Sequence, residues 1–123
     1  MALTEPALPR APHTDRRPWG EFHRYTLNES STVKRITVAP GHRLSLQRHA
    51  HRDEWWVILT GELVTQVGEA HRTVTAGEQV WIPRGELHRV ANETDAEGSF
   101  LEIAFGTFDE DDIERLDDDY ARS

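Results

Sequence analysis

The sequence predicts an all-β fold, a jelly-roll barrel of short strands, and two observations carry that expectation. Stretches rich in β-branched and aromatic residues recur at intervals of about ten. Turn signals separate them, at Pro40-Gly41, Thr60-Gly61, Val67-Gly68, Ala76-Gly77 and Pro83-Arg84-Gly85.

Residues 1–16 are polar, carry Pro6, Pro9 and Pro12 and show no apolar period, which predicts a flexible arm ahead of a single domain over 17–122. Strands are expected near 21–27, 32–38, 43–49, 54–60, 62–68, 71–75, 78–82, 87–91 and 99–105, and nine short strands suit a jelly roll. Asn92 to Gly98 reads as a polar loop. The pattern then changes. Asp109 can cap a helix, acids fill the turn after it, and Ile113, Leu116 and Tyr120 recur at helical spacing, so a short C-terminal amphipathic helix is expected.

A chain of 123 residues has room for one domain with a packed core. It contains no cysteine, which removes disulfides, thiolate nucleophiles and thiolate-bound metals together. Any metal must rest on His, carboxylate or amide groups. The 22 acidic and 14 basic residues give a net charge of −8, and eight of the acids lie between Asp109 and Asp119. That balance argues against nucleic-acid binding, which needs a basic face, but it leaves room for a local arginine cluster around one phosphate. The longest apolar run, Trp55 to Leu59, is far short of the ~20 residues of a membrane helix. No apolar run follows Arg16 and Arg17, so the expectation is a soluble cytoplasmic protein.

Alternation along a strand puts Arg43, Ser45, Gln47 and His49 on one side and Leu44 and Leu46 on the other. A polar row facing a barrel interior requires a partner such as a metal; facing outward, it is simply solvated. Glu54 follows His49 at an odd offset, which a turn at Arg52-Asp53 repairs, and His88 follows the rigid Pro83-Arg84-Gly85 turn. Two imidazoles, a carboxylate and an amide oxygen suit zinc, manganese, iron, cobalt or nickel. A competing register pairs His49 with His51, but it breaks the spacing to Gly41 and Glu54.

Gly41, Gln47, His49, Glu54 and Gly61 reproduce the first cupin motif, with Gln47 where His is usual. Gly77, Pro83, Gly85, His88 and Asn92 fill every position of the second. The chain thus resembles a cupin-type jelly-roll barrel. Further segments recur in order: Arg17-Pro18-Trp19-Gly20, Val33-Lys34-Arg35-Ile36, Leu44-Ser45-Leu46-Gln47, His49-Ala50-His51-Arg52-Asp53-Glu54, Ile82-Pro83, and the terminal Glu110-Asp111-Asp112-Ile113 with Arg115, Leu116 and Tyr120. These are similar to the cupin domain of type II phosphomannose isomerases over residues 16–122. In that family the domain commonly follows a nucleotidyltransferase domain that makes GDP-mannose; no glycine-rich nucleotide loop occurs here, so the resemblance implies only the isomerase half.

The implied reaction interconverts mannose 6-phosphate and fructose 6-phosphate through an enediol. It implies one divalent ion, zinc first, on Gln47, His49, Glu54 and His88. His51 is the candidate proton carrier because imidazole titrates near working pH, with Glu102 as the alternative. Arg35, Arg43, Arg52, Arg89 and Lys34 are candidates for holding the phosphate. Two departures from the family concern the pocket. Trp55 stands where His is usual, and Ala104, Phe105 and Gly106 stand where an acid and Gln are frequent, which predicts a less polar cavity. The strand Trp55 to Leu59 is apolar on both sides, and a homodimer is expected to cover part of it. Two other classes fit a metal cupin: a non-catalytic binder of a sugar or other small molecule, and an oxygenase, whose usual ligand set Gln47 leaves incomplete.

Overall fold

The computed structural model describes residues 8–120. Among the described residues, those up to Ser30 form one compact unit and those from Ser31 a second. In the first, β1 (His13–Arg17) and β2 (Gly20–Arg24) make an antiparallel hairpin around Pro18 and Trp19. The arm expected over 1–16 therefore includes strand residues from His13 on, and residues 1–7 of it lie outside the described residues. Arg10 holds Glu29 through two hydrogen bonds of 2.6 and 3.0 Å within this unit.

The second unit is the jelly roll. Its strands are β3 (Ser31–Val38), β4 (Leu46–Arg48), β5 (Arg52–Thr60), β6 (Glu62–Val67), β7 (Ala70–Thr75), β8 (Gln79–Ile82), β9 (His88–Ala91), β10 (Gly98–Gly106) and β11 (Glu114–Asp117). They form two antiparallel sheets, ordered β3-β10-β5-β8 and β11-β4-β9-β6-β7. Trp56, Ile58, Ile82 and Phe100 from one sheet meet Leu63, Val74 and Val90 from the other in a dry core. Leu63 and Val74 are wholly buried, each contributing about 1.5–3 kcal/mol by burial. β5 passes into β6 through Gly61 alone. Its φ of +75° and a Cβ position only 2.8 Å from the Glu97 carbonyl oxygen leave glycine as the residue that fits.

Sheet alternation gives the first sheet two faces of different character. Glu54, Trp56 and Glu102 point inward with the core. Trp55 points outward, where it meets Trp81 edge-on at 6.4 Å, and Trp81 stacks on Phe105 at 5.9 Å. Trp55 and Phe105 therefore lie off the inner cavity and do not make it less polar, contrary to the sequence expectation, whereas Ala104 sits opposite Glu54 on the inner face.

The C-terminal helix is absent among the described residues. Asp109 to Asp112 form a turn, in which Asp112 N–H donates to the Asp109 carbonyl at 3.0 Å, and β11 then pairs antiparallel with β4. The acids explain the outcome, because partners on other strands claim them. Arg48 holds Glu114 at 2.8 Å, Arg89 holds Asp117 at 3.0 Å, and Arg43 holds Asp119 at 2.7 Å. Ile113 and Arg115 turn to a cavity while Leu116 remains half exposed, so the working period is two rather than 3.6. Tertiary pairing has overridden local helical propensity.

Candidate metal centre

His49 lies just past β4, directly before the bend at Ala50-His51 that leads into β5. Asp112 fixes that bend: its carboxylate accepts the Ala50 and His51 N–H groups, each at 2.9 Å. The His49 carbonyl accepts Gly85 N–H at 2.7 Å, tying the bend to the turn before β9. The break in register sits at Ala50-His51, two residues earlier than the sequence reading placed it, and it brings Glu54 to the same side as His49.

The two imidazoles are oriented alike. His49 Nδ1–H donates to the Asp112 carbonyl at 2.8 Å, and His88 Nδ1–H donates to the Glu86 carbonyl at 3.0 Å. A carbonyl only accepts, so Nδ1 carries the proton on each ring and Nε2 is the nitrogen turned to the site. His49 Nε2 lies 3.2 Å from Glu54 Oε2, and His88 Nε2 lies 3.8 Å from Glu54 Oε1. Ligand atoms around an ion with bonds of ~2.0–2.2 Å sit at comparable separations. The three side chains are 4 %, 1 % and 3 % exposed for His49, Glu54 and His88, and their ligand atoms lie within 4.8 Å of one another. This is a buried donor set suited to a divalent ion.

Glu54 is supported on every side. Trp56 Nε1–H donates to Oε1 at 3.0 Å, and Arg52 Nε–H donates to Oε2 at 3.1 Å. Burial opposes its ionisation, but a hydrogen bond from Glu102 and the nearby His88, His49 and Arg52 outweigh burial, so its pKa is lowered. Glu102, opposite Trp56 and Lys34 in the β10 register, moves the other way. Burial, then the charge of Glu54 and the hydrogen bond to it, push the Glu102 carboxyl up to about 8. Burial lowers the pKa of His88, which favours the neutral, ligating form. Arg52 completes the centre: it is 5 % exposed, lies 3.3 Å from His49 Nε2, donates to the Asp109 carbonyl and packs 4.4 Å from the Phe108 ring centroid.

Lys34, Arg43, Gln47, His49, Arg52 and Glu102 share a cavity of about 390 Å³ with Ser45. Gln47 is half-buried and sits directly opposite His88 in the ladder. His51 is exposed and outside the cavity lining, so of the two candidate proton carriers only Glu102 reaches it. Arg89 borders a different cavity, and Arg35 is exposed and borders none of the three. Sequence reasoning missed Trp56, Asp112 and Arg115. Trp56 shares the parity of Glu54 and was open to the same alternation argument. Asp112 bonds a residue 63 positions away and left no local signal.

A model of the mannose-6-phosphate isomerase C-terminal family matches residues 9–118. The chain belongs to that family. Among curated relatives of this family domain, the alginate biosynthesis protein AlgA of Pseudomonas aeruginosa is 38% identical over 108 residues, covering 87% of this chain and 22% of AlgA. The mannose-1-phosphate guanylyltransferase ManC of Salmonella typhimurium is 36% identical over 107 residues, covering 86% and 22%. The chain thus spans about a fifth of the length of these relatives. Among solved structures, a sugar phosphate isomerase of the cupin superfamily from Silicibacter pomeroyi superposes with a TM-score of 0.56 at 30% identity, covering 63% of this chain and 51% of that one.

Proposed function

We propose that the domain is a metal-dependent isomerase of mannose 6-phosphate and fructose 6-phosphate. The observation that carries this reading is the buried His49–Glu54–His88 set with Glu102 on the same inner face and in the cavity lining, in a chain of this family. His49, Glu54 and His88 would hold the ion and Gln47 would complete its ligands. A bound divalent ion supplies Lewis acidity that stabilises oxyanion charge on the sugar as the carbon-bound proton leaves.

The protein's own groups do the rest. Glu102 takes the proton from C2 of the aldose and returns it to C1 of the enediol, while the proton of the C2 hydroxyl passes to the C1 oxygen, which yields the ketose. Its carboxyl must be ionised to begin, and a cation held at Glu54 lowers the repulsion that raises it. Arg52 and Trp56 fix the Glu54 carboxylate from two sides, which keeps the centre rigid through the transfer. The cationic lining favours an anionic sugar over a neutral one.

The test is to incubate the purified protein with mannose 6-phosphate and zinc, cobalt or manganese while following fructose 6-phosphate. Steady formation is expected, and Glu102→Gln is expected to lower kcat by about 10²–10⁴-fold. Absence of conversion with every metal contradicts the isomerase reading.

A further inference from the structure

The cations that the sequence offers for a phosphate are bound to other groups or lie off the cavity. Lys34 is held by Glu110 at 2.9 Å, Arg43 grips Asp119 at 2.7 and 2.9 Å, and Arg52 is buried against Glu54. Arg89 bonds Asp117 and the Leu44 carbonyl, and Arg35 lines none of the three cavities. One further arginine lines the cavity. The Arg115 side chain makes no hydrogen bond or ion pair among the described residues, and the cavity acid that feels its charge, Glu110, is occupied by Lys34.

The position of Arg115 gives this free cation a direction. On β11 it sits opposite Gln47 of β4, and Gln47 sits opposite His88 of β9. Directly opposed residues share a face, so Arg115, Gln47 and His88 form a row across three adjacent strands. Strands lie ~4.8 Å apart, which separates the backbones of Arg115 and His88 by roughly 10 Å. In a hexose 6-phosphate the reacting carbons, C1 and C2, and the phosphate on C6 lie at opposite ends of the molecule. A site for such a substrate needs its metal ligands and its anion ligand apart on one face, as in this row.

We propose that Arg115 is the anion anchor of the cavity, taking the phosphoryl group of a sugar phosphate whose carbonyl end lies at His49, Glu54 and His88. This rests on the isomerase reading above. The guanidinium offers a planar fork of donors that engages two phosphate oxygens at once. The segment that carries Arg115 also carries Asp112, so one stretch of chain both orients a metal ligand and binds the far end of the substrate.

The experiment titrates inorganic phosphate, mannose 6-phosphate and mannose by calorimetry into the zinc-supplied full chain, as wild type, Arg115→Ala, Arg115→Lys and Arg35→Ala. Wild type is expected to bind mannose 6-phosphate more tightly than mannose. Arg115→Ala is expected to weaken both phosphate ligands by roughly 10- to 100-fold, with partial recovery in Arg115→Lys. Metal content, circular dichroism and the behaviour of Arg35→Ala should match wild type. Unchanged phosphate affinity in Arg115→Ala, an equal loss in Arg35→Ala, or no measurable phosphate binding by wild type overturns the anchor. Phosphate binding that depends on Arg115 without any fructose 6-phosphate formed supports the anchor and removes the isomerase reading instead. Conversion with an unaltered KM in Arg115→Ala does the reverse.

Discussion

The carbonyl of Asp112 accepts the Nδ1 proton of His49 at 2.8 Å, so a residue near the end of the chain selects the tautomer of a ligand that precedes it by 63 positions. The Asp112 carboxylate holds the same bend through Ala50 and His51. Partners of this kind typically change metal affinity by about 10–100-fold when lost.

Asp112→Ala keeps this carbonyl but removes the carboxylate that holds the Ala50 and His51 N–H groups, so His49 loses its fixed position and zinc should bind about 10-fold more weakly while the core stays folded. Competition with a chromogenic chelator measures it. An affinity equal to wild type would show that the bend holds without Asp112.

Glu102 makes the stability of the metal-free protein depend on pH. Its folded pKa, about 8, lies above the ordinary value of 4.5, so the stability it contributes is present below about 4.5 and is lost as pH rises toward 8. Urea denaturation of wild type against Glu102→Gln across pH 5–8 should show wild type losing up to about 1.4 kcal/mol per pH unit relative to the variant. Parallel profiles would place the Glu102 pKa near its ordinary value.

Much of this centre was readable in the sequence, and the reason is local. His49, Glu54 and His88 lie in or beside short strands whose turns fix their direction, so motif spacing brought them together, and Gln47 lines the same cavity as His49. Residues 109–120 were unreadable for the opposite reason. Ile113, Leu116 and Tyr120 have helical spacing, yet Arg43, Arg48 and Arg89 claim the intervening acids from distant parts of the chain. The roles of Asp112 and Arg115 depend on that pairing. Trp55 misled for a third reason: its motif position adjoins Glu54, but alternation turns it to the opposite face of the sheet, against Trp81.

Trp56 gives a test of how Glu54 is held. Trp56→Phe keeps an aromatic ring against Phe100 and His88 but removes the donor to Glu54 Oε1. A loss of about 1.5–3 kcal/mol of unfolding free energy is expected, as for a hydrogen bond to a charged group, together with weaker metal binding. Stability within experimental error of wild type would assign the support of Glu54 to Arg52 alone.

The most direct measurement is the metal content of the purified protein and its ligand variants by mass spectrometry. Wild type and His51→Ala should carry a divalent ion at about one per chain, and His49→Ala, Glu54→Ala and His88→Ala should each lose it. Full occupancy in the His49 and His88 variants would contradict a metal centre built on His49, Glu54 and His88.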